Sequence, residues 1–524
     1  MTEIIRPIFE KNTLSRKTGS WRDHELKQKP RYQWESETVS PCKIACPLEN
    51  DIPYWISLLK EGKIQQAWEK LMKKNPFPAV TGRVCAAFCE ESCNRKEFDE
   101  SISIRDLEKF LGDEALARGW HPQKSAGKPK EFSVAIVGSG PAGLSCAYQL
   151  ARKRFKVVVF EQLSVLGGQL QFGIPEFRLP KDILEKEINN LVRLGIEVKK
   201  DITVDLKLFE IIKDCYDAFF FAVGLQKSKK LDIEGENNPD VFYGFDFLKD
   251  VNLGKKISLG KKVIVIGGGN IAIDAARTAE KSGSEVVIFY RRTIAEMPAI
   301  KEDVVLAQAE GIKIKELLSP IRISNKFGRN FIECQRNRLG EPDEFGRKKP
   351  LPIGGLNFLE PFDNLIIAIG EEAEDDFFVK LKDGNKVFLG GDFKTKAGTV
   401  AAAIGSGREA AEAIDKIFSR KSPIETKNSP IVKLSDLNLA YFKHQERKSL
   451  PWAEAKRCFS CGVCRECENC FNFCPDMSVK KTNDPKKPYA VDYDYCKGCG
   501  ICAKECPRGV IVMEEENESK SNDR

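Results

Sequence analysis

Residues 134–161, VAIVGSGPAGLSCAYQLARKRFKVVVFE, constrain this chain more than any other stretch. An apolar strand turns through Gly138-Ser-Gly140-Pro-Ala-Gly143 into an apolar helix, and a second apolar strand ends on Glu161. Gly138 permits the tight turn, Gly140 lets the backbone approach a pyrophosphate at the helix N-terminus, and Gly143 lets helix and strand pack closely. Glu161 stands where a carboxylate accepts from ribose hydroxyls. A glycine triplet alone is weak; with its strand, helix, second strand and acid it predicts a dinucleotide-binding unit.

A second unit of the same type begins at Lys262 with VIVIGGGNIAIDAARTAEKSGSEVVIFYRR, where Gly267, Gly269 and Ala272 hold the three small-residue positions. Its second strand ends in Arg291-Arg292 instead of an acid. An acid there favours the 2′-hydroxyl of NAD(H), whereas arginines accommodate the 2′-phosphate of NADP(H), so NADP(H) is favoured over NAD(H). The competing reading is two arginines that merely cover a surface. Apolar runs at 219–224 (FFFAVG), 365–370 (LIIAIG) and 387–389 read as buried strands, and a helix starts near Thr399. Residues 166–180, LGGQLQFGIPEFRLP, carry too many glycines and prolines for a plain helix or strand.

The chain has 524 residues, a near-balanced charge of +7 and 18 cysteines. The charge is spread along the chain and does not indicate nucleic acid. No apolar run reaches the ~20 residues of a membrane span, and the first residues lack a secretory pattern, so the expected location is cytoplasmic. In a reducing compartment so many cysteines point to metal or clusters, not disulfides. Cys464-x2-Cys467-x2-Cys470-x3-Cys474-Pro and Cys496-x2-Cys499-x2-Cys502-x3-Cys506-Pro repeat the run of bacterial two-cluster ferredoxins. The fourth cysteine of each run serves the other cluster, which groups Cys464, Cys467, Cys470 and Cys506, and Cys496, Cys499, Cys502 and Cys474. Zinc sites favour paired CxxC knuckles and fit this pattern poorly. Cys458 and Cys461 precede the runs and are surplus to them.

The expected architecture is multidomain α/β. A surface tail (1–35) precedes a helical iron–sulfur domain (36–125) and the first part of a Rossmann-like FAD domain (131–235). An inserted NAD(P)H domain (236–358), the second FAD part (359–420), a linker (421–450) and an α+β ferredoxin-like domain (451–524) follow.

Residues 41 to about 420 resemble the small subunit of NADPH-dependent glutamate synthase and the N-terminal half of dihydropyrimidine dehydrogenase. The resemblance is carried by CPLENDIPYWISLLKEGKIQQAWEKLMKKNPFPAVTGRVCAAFCEESC, GGQLQFGIPEFRLP, GGGNIAIDAARTA and YRRTIAEMPA. It implies FAD at Gly138, Gly140, Gly143, Glu161, Gly168, Gln169, Arg178, Val204, Asp392 and Thr399. It implies NADP(H) at Gly269, Asn270, Ala272, Arg291, Arg292 and Gly370, and two [4Fe-4S] clusters near the N-terminus.

For one of these the resemblance implies Cys46, Cys85, Cys89 and Glu108 as ligands, although a solvated helical glutamate is the bland alternative for Glu108. The other uses equivalents of Cys42 and Cys93 together with a C-x2-C pair that no cysteine before Cys42 supplies here. The surplus pair in AEAKRCFSC resembles that missing segment, so Cys458 and Cys461 are expected to fold back and complete the set, giving four clusters in all. Cys146, Cys215 and Cys334 are left as expected buried structural thiols.

These parts imply an NAD(P)H:ferredoxin-type oxidoreductase, free or as the electron-input subunit of a larger redox enzyme, with no acid–base residue assigned. Partners by analogy include a ferredoxin, a 2-oxoacid:ferredoxin oxidoreductase or an aromatic-ring reductase. The alternatives are a glutamate synthase small subunit and a flavin-dependent disulfide reductase. The latter needs a redox CxxC beside the flavin, and none occurs between residues 132 and 417.

Overall fold

Two five-stranded parallel sheets organise the larger part of the molecule. In the first, Ser133–Val137 is central, flanked by Lys156–Phe160 and Glu197–Lys199 on one side and by Ala218–Phe221 and Val387–Leu389 on the other. Strands covered on both faces read as continuous apolar runs, and every residue of Ala218–Phe221 is buried. The Pro141–Arg152 helix packs over this sheet and against the Val400–Ser419 helix. Gly138 adopts φ +99, and a Cβ on Gly143 would lie 1.9 Å from the Gly138 carbonyl oxygen. Turn and helix therefore close as the glycine spacing requires.

The second sheet runs Lys313–Glu316, Glu285–Tyr290, Lys262–Ile266, Asn364–Ile367, Val241–Tyr243. The expected boundary at 359 differs from this arrangement. Asn364–Ile367 lies between Lys262–Ile266 and Val241–Tyr243, inside the nicotinamide-type sheet, and the chain regains the first sheet only at Val387–Leu389. FFFAVG and LIIAIG are the same kind of apolar run ending in glycine, and such a run does not encode which of two similar sheets it enters. A three-stranded antiparallel sheet (Leu318–Lys326, Arg329–Pro342, Lys348–Phe362) shares a core with the second sheet through Ile323, Ile332 and Phe289. The two crossovers between the parallel sheets pair with each other as Lys227–Ser228 and Glu371–Glu372.

This computed structural model describes residues 28–32, 39–326, 328–343, 346–373, 381, 384, 386–396, 398–419, 430–484 and 487–515. Most of the expected tail (1–27 and 33–35) and part of the expected linker (421–429) lie outside them. The described residues form two bodies: Asn75–Ala86 with Leu116–Lys421, and Met1–Lys74, Ala87–Ala115 and Ser422–Arg524.

In the second of these bodies, Ile52–Lys60, Ile64–Leu71 and Ile104–Ala117 bury Trp55, Ile56, Leu71, Leu107 and Leu111 in one core. Ala455, from the Pro451–Arg457 helix far along the sequence, is part of that same core. The cysteine-rich end adds a hairpin (Val479–Lys481, Tyr489–Val491) and the strand Ile511–Glu515. Within the expected tail, Gln28–Tyr32 is instead a strand paired antiparallel with Ile511–Glu515. Pro30 and Tyr32 are buried while Lys29 and Arg31 are not, a period-two alternation short enough to miss in a polar stretch. Arg31 donates to Glu514 at 2.5 Å. Among the described residues no helix is long and apolar enough to cross a membrane.

Candidate functional site

A cavity of about 1540 Å³ opens in the body that holds the two parallel sheets, lined by the first glycine loop and by Asn270 and Ile271 at the start of the second unit's helix. Single small-molecule pockets span ~300–1,000 Å³, so this chamber has room for two dinucleotides. Of the expected residues, Gly138, Gly140, Glu161, Gly168, Gln169, Arg178, Val204, Asp392, Thr399, Asn270 and Gly370 line it. Gly143, Gly267, Gly269, Ala272, Arg291 and Arg292 do not. Gly143 and Ala272 are packing positions, Ala272 being fully buried beneath its helix. The backbone-walled loops and the buried acid fit an FAD on the first unit, and the second loop fits a nicotinamide dinucleotide.

Glu161 is buried, and both its oxygens already accept from the protein. One takes Ser139 N (2.9 Å) and Ser139 Oγ (2.6 Å), and the other takes Leu163 N (2.9 Å). The carboxylate thus ties the loop to the second strand and keeps lone pairs for a ribose. Asn270, at the N-terminus of the Asn270–Lys281 helix, accepts from Ile300 N at 2.9 Å. Asp392 accepts from Gly398 N at 3.0 Å, and burial holds its carboxyl above the ordinary range.

Arg178 takes part in a buried ion-pair network: it contacts Asp274 at 2.5 Å and Asp303 at 2.9 Å. Burial pushes the Asp274 carboxyl up to about 6 against the opposing pull of Arg178, and its Oδ1 has no hydrogen-bond partner. Asp274 lines the cavity from the second helix, as does Glu371, which burial pushes up to about 7. The sequence reading missed both. Asp274 carries a weak signal, an acid among the small residues of NIAIDAARTA.

The two arginines after the second strand part company. Arg292 is 4% exposed and donates to Lys348 O (2.7 Å) and to Asp343 (2.9 Å), which anchors the antiparallel sheet. A buried guanidinium needs partners for its donors, and Lys348 and Asp343 supply them. Arg291 remains exposed at the strand end. Partial desolvation behind its exposed face, then the charges of Arg292 and Arg347, lower its affinity for its own proton. Arg347 also contacts Asp343, at 3.8 Å, so Arg292 and Arg347 share that carboxylate.

Cys464, Cys467, Cys470 and Cys506 line one small void of about 20 Å³, together with Tyr32 and Tyr489. Cys474, Cys496, Cys499 and Cys502 act on one another electrostatically as a second group. Backbone amides point at these sulfurs: Gly498 N to Cys496 and Val510 N to Cys506, both at 3.4 Å. Such donors suit cluster-bound thiolates, whose potentials respond to them. All-thiolate sets of this kind fit iron–sulfur clusters. Among the described residues no three His, Cys, Asp or Glu side chains converge tightly enough to hold a single metal ion.

Cys42 feels the charges of Cys93, Cys461 and Cys458, and burial pushes its thiol up. Cys46 follows the Pro41–Ala45 helix, Cys89 is buried in Phe88–Glu91, and Glu108 is half-buried on Ile104–Ala117. Cys85 ends the Pro78–Val84 helix, which belongs to the other body. Cys146 and Cys334 are buried as expected, whereas Cys215 is exposed. The Leu206–Ile212 helix before it packs Leu208, Phe209 and Ile212 on the first sheet's core, and Cys215 lies beyond that face in the turn that follows.

The profile of the pyridine nucleotide-disulphide oxidoreductase family matches residues 132–400, and the chain belongs to that family. The dihydropyrimidine dehydrogenase domain II, 4Fe-4S cluster, family matches 36–120, and the 4Fe-4S binding domain family matches 489–512. The beta subunit of an NADP(+)-dependent formate dehydrogenase of Moorella thermoacetica is 37% identical over 72% of this chain and 60% of its own. The beta subunit of an NADPH-Fe(3+) oxidoreductase of Geobacter sulfurreducens is 32% identical over 80% of this chain and 69% of its own. The glutamate synthase [NADPH] small chain of Halomonas elongata is 34% identical over 71% of this chain and 87% of its own. The chain thus spans about 60% of the length of the Moorella relative. It belongs with the glutamate synthase small chain, and regions that match 4Fe-4S-binding families lie at each end of its pyridine nucleotide-disulphide oxidoreductase-type core.

Proposed function

We propose that the chain is the electron-input subunit of a redox assembly, taking reducing equivalents from NADPH and delivering them to a ferredoxin or a partner redox subunit. One observation carries this reading: elements of both dinucleotide-type units line a single chamber, with Asn270, Asp274 and Gly370 on its second-unit side and Gly140 and Asp392 on the first. When bound, the flavin converts a two-electron donor into single electrons, and iron–sulfur clusters carry them.

The chain's own contribution is positioning. The amides around Gly140 would hold the pyrophosphate of one nucleotide, and Glu161, which fastens that loop, would accept from its ribose. Asn270 fixes the loop at Ile300 beside the second nucleotide. Arg291, exposed at the end of the second strand, would receive a 2′-phosphate, which favours NADPH over NADH. Arg178, Asp274 and Asp303 brace the wall between the two units.

Two beta subunits of multisubunit oxidoreductases among the relatives support a partner-dependent role. A glutamate synthase small subunit accounts for less of the chain than the Geobacter subunit does, the Halomonas protein aligning with 71% of it against 80%. A disulfide reductase lacks its CxxC: the cysteines between residues 132 and 417 are Cys146, Cys215 and Cys334, far apart in sequence.

The test is turnover of anaerobically purified protein with NADPH or NADH and a low-potential ferredoxin. Ferredoxin reduction, faster with NADPH, is the expected result. Equal rates with NADH would remove the role given to Arg291. Reduction of neither ferredoxin nor the protein's own chromophores would overturn the reading.

A further inference from the structure

We propose that Cys42, Cys93, Cys458 and Cys461 are the four ligands of a single [4Fe-4S] cluster closed by two distant parts of the chain. The inference rests on the iron–sulfur reading and not on the nicotinamide reading.

The first support is local geometry. Three C-x2-C loops in the cysteine-rich end share one backbone signature. In Cys496–Cys499, φ is positive at Gly498 (+65) and Gly500 (+75); in Cys464–Cys467, it is positive at Glu466 (+51) and Glu468 (+65). Cys458–Cys461 repeats this at Ser460 (+56) and Gly462 (+72). The sulfur contact repeats too: Ser460 N donates to Cys458 Sγ at 3.4 Å, as Gly498 N does to Cys496 Sγ. A non-glycine residue in the left-handed region is costly and persists where the surroundings impose it. The surplus pair is therefore folded like the cluster-binding loops beside it, although the ferredoxin runs have no use for it.

The second support is where the loop is held. Ala455, Cys458, Cys42 and Cys93 pack on one hydrophobic core. The segment leading into the loop is fastened by buried charges. Ser103 N donates to Glu454 at 3.0 Å, and Arg457 pairs with Glu454 (2.7 Å) and donates to Glu100 O (2.7 Å). Arg95 donates to Arg457 O and Lys443 O, and Lys60 donates to Cys458 O at 2.6 Å. Glu454 and Arg457 are 1% and 2% exposed. Buried ions are tolerated only with partners in good geometry, so this docking is specified. It sets the loop beside Cys93, whose neighbour Asn94 points its amide at Cys461 Sγ at 3.6 Å.

The third support is exclusion. Cys464, the next cysteine in the series, already lines the void with Cys467, Cys470 and Cys506. The pair at 458 and 461 thus has no local third and fourth ligand, and Cys42 and Cys93 lack the other half of theirs. Two residues separate Cys461 from Cys464, which limits their Cα atoms to ~10 Å. The shared site is thereby tethered directly to the ferredoxin-type site.

The test compares full-length protein purified anaerobically as C458S/C461S, as C42S/C93S and as the quadruple variant. Each double variant is expected to lose about four irons per chain, and the quadruple variant the same four and no more, with flavin content unchanged. Full iron in C458S/C461S, or losses that add in the quadruple variant, would overturn the assignment. A measurement on the unaltered protein guards against misfolding of the variants. Alkylation during iron chelation is expected to expose Cys42, Cys93, Cys458 and Cys461 in one kinetic step. Release of 42 and 93 in a step separate from 458 and 461 would contradict it.

Discussion

The two glycine loops begin alike and end differently. In both, a buried strand turns through small residues into a helix whose first turn faces the same chamber. The first unit ends on Glu161, an acid bound by Ser139 and Leu163 within its own loop. The second ends on arginines, one spent on Asp343 and Lys348, the other exposed. The turn holds a pyrophosphate in either case; the residue at the end of the second strand decides which nucleotide follows. The first unit is also braced from outside. Its helix ends near Lys153, which with Lys130 grips Asp415 on the Val400–Ser419 helix at 3.0 and 2.5 Å.

The largest effect that would sharpen this comparison is at the turn. Gly143→Val places side-chain atoms where the Gly138 carbonyl stands 1.9 Å from a Cβ. Overpacking of 1–3 kcal/mol or more translates into a loss of bound flavin of at least about tenfold, read from the flavin absorbance per chain. Ala272→Val in the other unit should spare the flavin and weaken nicotinamide binding.

Next comes the strand end. Arg291→Ala removes a charge-assisted contact of ~1.5–3 kcal/mol, so KM for NADPH should rise about 10- to 100-fold while KM for NADH stays put. Arg292→Ala should chiefly lower the melting temperature instead. A variant at 292 that changed nucleotide preference without loss of stability would undo the division of labour between the two arginines.

The brace gives a smaller effect with a defined pH dependence. Burial would raise the Asp415 carboxyl, but hydrogen bonds from Lys130, Lys153 and Ser419 outweigh it and hold the pKa well below the ordinary value. Its contribution is complete above the unfolded carboxylate pKa near 3.8 and is lost as pH falls through the lower folded value. Asp415→Asn should cost about 1–3 kcal/mol at pH 7 by denaturant titration, with the deficit shrinking below pH ~4.

Asp274 behaves oppositely. Its pKa is raised from 3.8 to about 6, so the folded state is penalised as pH rises through that range. The melting temperature of Asp274→Asn relative to the parent should therefore improve by ~1–3 °C between pH 4 and 7. A relative loss over that interval would reverse the sign assigned to burial.

Legibility in the sequence followed contact range. The glycine loops and ferredoxin runs could be read because their residues are fixed by local spacing, and Cys464, Cys467, Cys470 and Cys506 meet at one void. Non-local facts were harder. LIIAIG reads as a buried strand, but only pairing with Val263–Ile266 shows which sheet it joins. Lys29–Tyr32 alternates for too few residues to stand out before its partner at 511–514 is known. Arg347, Asp274 and Glu371 gain their interest from burial and from neighbours distant in sequence. The partners of Arg292, Asp343 and Lys348, lie 51 and 56 residues further along the chain, so its burial and pairing were not legible locally.

The most direct test of the central claim is an anaerobic titration of the holoprotein with NADPH, followed by flavin absorbance and by low-temperature electron paramagnetic resonance. The account predicts that flavin bleaching is accompanied by reduced iron–sulfur signals, with no other subunit present. Bleaching of the flavin while every cluster stays oxidised, although dithionite reduces them, would contradict an electron path from the dinucleotide chamber to the cysteine-bearing body.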